Sequence, residues 1–583
     1  MSTPEPMAKD LAVESSHQPM LATSPNDAQR QGDSAEVSAS TSESTILTGR
    51  RLAIVFVAML LALLLIALDQ TILGMFSLGL LQPTALPRIA SDFQAFTLQG
   101  WVATSFVLAE TIFLQFYGQL LRIFLAKWIL VGSIVIFEIG SLVCGVSQNI
   151  GQLIAGRTVS GVGAAGMYVA MLQVIAQVTR LEDRPRLFGL FGAVFGISSI
   201  IGPLIGGSFT DHVTWRWCFF INLPVGGVSV TAVVFLLKAT PPLGSDPIKR
   251  SWRDILRQVA RMDFVGAILV AGAVTTLVLA LQWGGNIKPW NDTAVIICFV
   301  FSAVLAIVFV SWEIFVGDRA MTPTAIFHSR SIYAILAYCV LSRFTLLLFS
   351  YYIPIFFQAV RHSSATSSAI HVLPLSLGVV VTIIGSGQIV GKLGYYWHLL
   401  AIAPVFIATG SGLLYTISST TTSAQITGFQ ILVAVGTGMG LQNALLAIQV
   451  EFKDRPMLLG QATGVATFGQ YLGNTLGLGV AEPVFASELA KYLLRFAPDA
   501  PVAIVTQSPV AIYTDLPPAL IPGVVKAYTQ SLRIVFVLGV PVAGLAFITS
   551  MFINNIRIEK TLPADPNGDA EKGIEVSAQQ SEK

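Results

Sequence analysis

Charge is scarce in this chain. Of 583 residues only 11% are Asp, Glu, Lys or Arg, while 54% are apolar; a soluble domain carries about a quarter charged residues. That shortage excludes a soluble protein of this length and marks a membrane protein. The net charge is +2, with basic residues in short clusters between apolar runs, which gives no footprint for a nucleic-acid partner. Cysteine is nearly missing too. Cys144, Cys218, Cys298 and Cys339 lie in or beside apolar runs without paired spacing, so no disulfide framework and no metal site is suggested. No GxxxxGK[ST] phosphate loop occurs, and nothing implies a cofactor or an enzyme. Alternating segments of about ten residues, the mark of a transmembrane barrel, are also absent.

Long apolar runs are what the chain has instead. Fourteen, from 52–73 to 533–553, are long enough to cross a bilayer, separated by short polar or Gly/Pro joints that suit hairpins of spanning helices. Lys and Arg collect in alternate loops, for example Arg180, Arg184 and Arg186, and Lys249, Arg250, Arg253 and Arg257. Those loops are expected to face the cytosol. The loops after the second and tenth runs, YGQLLRIFLAKW and SGQIVGKLGYYW, form a weak internal repeat. The expected fold is an all-α polytopic membrane protein, two six-helix bundles plus two central helices, with both termini cytosolic and a substrate site near the midplane. In residues, 1–50 is a disordered cytosolic tail, 51–238 the N-terminal bundle, 239–263 a cytosolic linker and 264–316 the central pair; 317–556 is the C-terminal bundle with an outer loop at 483–525, and 557–583 a second tail.

Charges inside these runs are costly and therefore informative. Asp69 lies toward the outer end of the first run and Arg157 near the outer start of the fourth, so the two could share a depth and pair; interfacial snorkelling is the structural alternative. Glu110 and Glu138 sit near mid-membrane, where a carboxyl suits reversible protonation or a neutral interhelical hydrogen bond. Arg343, equally deep, is a candidate partner or substrate contact. With Tyr351, Gln358, Gln442 and Asn443 it makes up the candidate substrate cavity, although buried amides more often serve as interhelical glue. In the fifth run, small residues from Gly189 to Gly206 recur every three or four positions, a smooth face for close helix packing. Gly202-Pro203 in that run suits a bend in a moving helix. Asn291-Asp-Thr293 is a sequon in an outer joint.

Several stretches together resemble a known family: LDQT at 68–71 with TALPRIASDF at 84–93, LIAGRTVSGVGAAG at 153–166, GISSIIGPLIGGSFTDHVTWRWCFFINLPVGG at 196–227, LQWGG at 281–285 and YYIPIFFQAV at 351–360. They look like the fourteen-spanner drug:proton antiporters of the major facilitator superfamily, especially fungal toxin and multidrug exporters. The resemblance implies alternating access, export driven by inward proton flow, and no nucleotide hydrolysis. It also implies that Asp69 is the acidic position of the first-helix motif and Arg157 the helix 4 arginine linked to proton transfer. Gly202, Pro203, Gly206 and Gly207 match the antiporter motif of helix 5, with Ser198 where that motif usually begins with Gly.

Two places depart from the family pattern. The loop after helix 2 should resemble GxLxDxxGRK but has Arg122 for the acid and Leu125 for the turn Gly; reversing that charge is expected to disturb its pairing with cationic or helix-end partners. The other is the opening motif, where ten residues, Gly74 to Pro83, interrupt LDQTIL…TALPRIASDF. From Leu52 to Leu86 the apolar run would make a helix of roughly 50 Å against a hydrocarbon core of about 30 Å. The resulting reading is proton-coupled efflux of amphipathic organic compounds by a protein expected to be monomeric, in the plasma membrane or alternatively the vacuolar membrane. A carrier of basic amino acids or siderophores, and a non-transporting receptor or scaffold that kept the fold, are the rivals. Residues 74–83 are read as a gene-model or splicing artefact, a true outward extension of helix 1 being the alternative. Transcript reads across this stretch are expected to lack those codons; reads that retain them overturn the artefact.

Overall fold

With no water to pair with, backbone inside a bilayer must satisfy its own N–H and C=O groups, and these apolar runs do so as helices. The computed structural model describes residues 46–72, 89, 92–93, 98–243, 251–285, 288–501, 505, 511–514 and 516–558. The segment 74–83, residues 1–45 and residues 559–583 lie outside them. Among the described residues the long elements are α1 (Gly49–Ile72), α2 (Gln99–Ile123), α3 (Ala126–Val146), α4 (Ile150–Val178), α5 (Arg184–His212), α6 (Asn222–Leu236), α7 (Phe264–Trp283), α8 (Thr293–Val316), α9 (Arg330–Ala359), α10 (Leu373–Leu393), α11 (Trp397–Tyr415), α12 (Ser423–Glu451), α13 (Leu459–Phe496), α14 (Ile521–Val537) and α15 (Gly539–Ser550). No strand is found among them beyond an isolated bridge between Gly284 and Lys288.

Helix starts follow from capping chemistry. Asn149, Asp263 and Asp292 accept from the backbone N–H of Gln152, Gly266 and Ala294, and Thr422 with Gln425 forms a reciprocal capping box before α12. Gly394, at φ +76°, ends α10 in a left-handed conformation that a side chain would strain. Twelve spans among the described residues are long and apolar enough to cross a membrane, α14 and α15 counting together. The helices α2 and α13, 25 and 38 residues long, are outside that set. Each carries polar residues within the span: Glu110, Gln115 and Gln119 in α2, Gln470, Asn474 and Glu482 in α13. Regular structure also intrudes on the stretch 483–525, because α13 continues through Pro483 to Phe496 and α14 starts at Ile521. Neighbouring helices compensate the backbone bond that proline removes.

Small residues decide who packs on whom. In α4, the most enclosed span, with 89% of its apolar window buried, Gly161 lies against the backbone of Phe106 in α2 and Gly163 against that of Phe137 in α3. The small-residue face of α5 serves two helices, not one. Gly189, Gly192 and Gly196 meet Ile384, Ile383 and Val380 of α10, while Gly202 and Gly206 meet Thr71 and Ile72 of α1. The helix continues through Pro203. The two bundles also touch along α2 and α13, where Gly118 faces Gly460 and Gly464 faces Leu114. By contrast, only 11% of the apolar window of α8 is buried, a surface suited to lipid.

These inter-bundle contacts lie at the end that carries the basic loops. There Arg184 donates to Gln449 Oε1 at 3.2 Å, and Gly387 abuts the carbonyl of Pro185. Leu47 N–H, just before α1, donates to Val178 O at 2.9 Å, and Ile558 N–H, beyond α15, to Gly394 O at 2.9 Å, so both described chain ends sit at this same end. The degenerate loop after α2 is docked rather than stranded. Gln119 Nε2 donates to Arg319 O at 2.9 Å, Arg122 Nη1 to Asp318 O at 3.1 Å, and Lys127 Nζ to Val234 O at 2.7 Å. Arg122 and Lys127 thus cap carbonyls at the C-terminal ends of α8 and α6, which favour cations. The charge reversal at Arg122 has found a helix end of the right polarity.

Adding a methyl at Gly163 is expected to lower stability by about 1–3 kcal/mol through overpacking, whereas Gly227, with nothing within 4 Å of a built Cβ, tolerates alanine. Thermal unfolding of Gly163→Ala and Gly227→Ala in detergent checks this; equal midpoints would contradict it.

Candidate functional site

Near the C-terminal end of α1 and the N-terminal end of α4, one ion pair is sealed from solvent. Arg157 Nη1 donates to Asp69 Oδ2 at 2.5 Å, with the side chains 0% and 1% exposed. The guanidinium also donates through Nε to Val102 O at 3.2 Å and lies 4.2 Å from the centroid of the Phe106 ring. Asn222 of α6 bridges Asp69 Oδ1 at 3.4 Å and Ser141 Oγ at 3.2 Å. A buried pair is tolerable only when the remaining polar valences are used, and these contacts use them. Sequence placed Asp69 and Arg157 at one depth; Asn222 was missed, although it stands in the quoted stretch FFINLPVGG. Next to this cluster, Gly202 and Gly206 bring the α5 backbone against Thr71 and Ile72.

Halfway along α2, Glu110 is fully buried. Its Oε2 accepts from Gln70 Nε2 of α1 at 3.0 Å and its Oε1 from Tyr471 Oη of α13 at 2.8 Å. One carboxyl therefore joins the N-terminal bundle to the C-terminal one. Neither Gln70 nor Tyr471 was among the sequence candidates, and their only signal was adjacency to Asp69 and Gln470. Glu138 is placed elsewhere. Its carboxyl packs on Gly226 of α6, and both oxygens are buried without a hydrogen-bond partner, so it shares no contact with Glu110.

Two cavities flank Arg343 and Phe195. The larger, about 150 Å³, is lined by Gln70, Thr104, Gln282, Tyr471, Asn474 and Glu482 among mostly apolar neighbours. The smaller, about 100 Å³, is lined by Tyr168, Ser199, Ser350, Gln442 and Gln470. Arg343 lies with its guanidinium 5.4 Å from the Tyr471 ring centroid, and its Nε is buried without a hydrogen-bond partner. It forms no ion pair with Glu110.

Of the sequence-read cavity set, Arg343 and Gln442 line the cavities and three residues do not. Asn443 donates to Met439 O of its own helix at 2.8 Å, because one step past Gln442 turns it about 100° away. Gln358 donates to Ser368 Oγ at 2.7 Å, closing the C-terminal end of α9 onto the short helix Ala365–Ile370. Tyr351 packs on Tyr352 at 4.9 Å between ring centroids, and Tyr352 in turn on Phe485. Glu482, missed by sequence, lines the larger cavity from α13. Asn291 is exposed beside the cap of α8, which leaves the sequon accessible. Among the described residues no group of His, Cys, Asp and Glu could hold a metal ion.

The family model described as Major Facilitator Superfamily matches residues 59–478. The chain belongs to the major facilitator superfamily. It is a multi-pass membrane transporter, not an enzyme. Similar curated proteins are fungal. An "MFS-type efflux pump MFS1" of Arthroderma benhamiae is 36% identical over 507 residues, covering 86% of this chain and 91% of the relative. An "MFS-type transporter astH" of Aspergillus oryzae is 33% identical, with 95% of each chain covered. A "Rubrofusarin-specific efflux pump aurT" of Gibberella zeae is 34% identical, covering 88% of this chain and 91% of the relative. Among solved structures, the proton:xylose symporter XylE (TM-score 0.54, 12% identity, 87% of this chain and 97% of that one) and the human organic anion transporter MFSD10 (TM-score 0.52, 12% identity, 87% and 100%) share the fold.

Removing one member of the sealed pair should cost more than removing both. Asp69→Ala leaves Arg157 buried and uncompensated, an expected loss of about 3–5 kcal/mol, while Asp69→Leu with Arg157→Met costs less. Thermal unfolding of the transporter in detergent reads the difference, and equal losses would show that the pair is not desolvated.

Proposed function

We propose that this transporter exports amphipathic small organic compounds, a secondary metabolite of the producing cell or a drug or toxin, in exchange for protons and by alternating access. The carrying observation is Glu110, a buried carboxyl hydrogen-bonded by Gln70 on one side and Tyr471 on the other. In the arrangement described, both Glu110 oxygens accept hydrogen bonds. A proton on either oxygen weakens the hydrogen bond that oxygen accepts, so protonation loosens the α2–α13 seam or the grip on α1. That couples a proton to bundle separation beside the cavity that Gln70 and Tyr471 line. Asp69 and Arg157 form the second coupling element: neutralising Asp69 frees Arg157 inside the N-terminal bundle. The glycines at 202 and 206 keep α5 close to the end of α1 that carries Asp69.

Relatives named as efflux pumps, one of them for rubrofusarin, support the outward direction and an organic substrate. Fourteen spanning helices with both ends cytosolic belong to this reading, as do a monomer needing no cofactor beyond the proton gradient and residence in the plasma membrane, with the vacuolar membrane as alternative. The inter-bundle contacts at the basic-loop end then make the described state closed toward the cytosol.

Purified protein in proteoliposomes with an imposed pH gradient tests the reading. Glu110→Gln and Asp69→Asn are each expected to cut gradient-driven movement of a fluorescent amphipathic probe by about tenfold or more, while probe exchange without a gradient persists. Undiminished gradient-driven transport in both variants would refute the proposed coupling.

A further inference from the structure

The centre of the C-terminal bundle holds an arginine that makes no ion pair among the described residues. Arg343 stands near the middle of the 30-residue α9, facing both cavities. Its Nε is buried with no acceptor. None of the ion pairs among the described residues includes it; its one close partner is the face of Tyr471. The nearby carboxyl, Glu110, is held by Gln70 and by the hydroxyl of that same Tyr471. The contrast with Arg157 is direct, since that arginine has a carboxylate at 2.5 Å, a backbone carbonyl and an aromatic ring. A guanidinium presents a planar fork of donors suited to a carboxylate or other planar anion, and desolvating it without one is unfavourable.

The cavity is polarised around this charge. Glu482, the other ionisable group lining the larger cavity, lies eleven residues beyond Tyr471 on α13, about 16 Å along the helix at 1.5 Å per residue. An anionic group is therefore drawn to Arg343 rather than to the far end, which offers a carboxyl and no cation. The walls beside Arg343 are the rings of Phe195 and Tyr471, with Tyr168 edge-on to Tyr471 at 6.5 Å between centroids. Flat aromatic bodies fit between such faces.

We propose that the transported compound is an aromatic organic acid whose ionised group pairs with Arg343 while its ring system lies against Phe195 and Tyr471. The proposal deepens the export reading and rests on it for the word transported; the binding site itself does not. It makes Arg343 the residue that sets specificity for charge.

Binding of two matched fluorescent probes, naphthoate and its neutral isostere naphthamide, to the purified full-length protein tests this, at a pH where the naphthoate carboxyl is ionised. The wild-type protein is expected to favour naphthoate by about tenfold or more, the scale of a hydrogen-bonded charge contact. Arg343→Gln should bring naphthoate down to the naphthamide level and leave naphthamide binding in place, which also reports an intact cavity. Arg343→Lys keeps the charge without the planar fork and should retain a smaller preference. No preference in the wild type, or an undiminished one in Arg343→Gln, overturns the proposal. If Arg343→Gln does not fold, the wild-type ratio and the Arg343→Lys ratio decide alone, equal affinities in either counting against it. Transport in proteoliposomes separates the two readings. Preferential naphthoate binding with no gradient-driven movement of either probe defeats export but keeps the site. Gradient-driven export of naphthamide without naphthoate preference defeats the site and keeps export.

Discussion

A carboxylate in the middle of a bilayer has to find its solvent in the protein, and for Glu110 that solvent is Gln70 and Tyr471. The arrangement around it follows from that need. The hydroxyl of Tyr471 reaches Glu110 only if α2 and α13 approach closely, and the approach is helped by Gly118 and Gly464, where a side chain would press on opposing backbone. Polar residues such as Glu110 and Gln115 in α2 and Gln470 and Asn474 in α13 keep these two helices from being as apolar as the other spans. The proposed transport site thus lies where the bilayer makes polarity costly, beside the seam between the two bundles.

The bundles handle charge differently. In the N-terminal one, Asp69, Arg157, Asn222 and Ser141 form a closed set with oxygen and nitrogen partners in place. In the C-terminal one, Arg343 has an aromatic face and two cavities beside it but no ion pair among the described residues. The proposed division of labour rests on this asymmetry, with protons handled where acids are paired and substrate bound where a cation is left open. Tyr471 belongs to both, giving its hydroxyl to Glu110 and its ring to Arg343. In the proposed division, Tyr471 is the side chain through which occupancy of one site would bear on the other.

The loop after α2 shows how a motif can change its letters and keep a structural purpose. Read against the family pattern, Arg122 is a reversed charge. In the fold its partner is the carbonyl of Asp318 past the end of α8, while Gln119 holds the neighbouring carbonyl of Arg319. An acid there would face carbonyl oxygens at a helix C-terminus, which repel it. The docked loop ties the central pair of helices to the N-terminal bundle at the end where the two bundles meet.

Membrane class, helical architecture and the positions of nearly all spans were legible in the sequence, because a bilayer accepts only long apolar helices and each leaves a run of the right length. So was the depth shared by Asp69 and Arg157, since distance along a helix is depth across a membrane. Rotation about the helix axis was not legible from runs that are apolar on every side. Gln442 lines a cavity while Asn443 beside it bonds its own backbone, and Tyr351 and Gln358 turn into packing while Glu482 turns into the larger cavity. The meeting of Glu110 with Tyr471, 361 residues apart, was decided only by the tertiary structure, because a hydrogen bond across the seam between two bundles leaves no spacing in the chain.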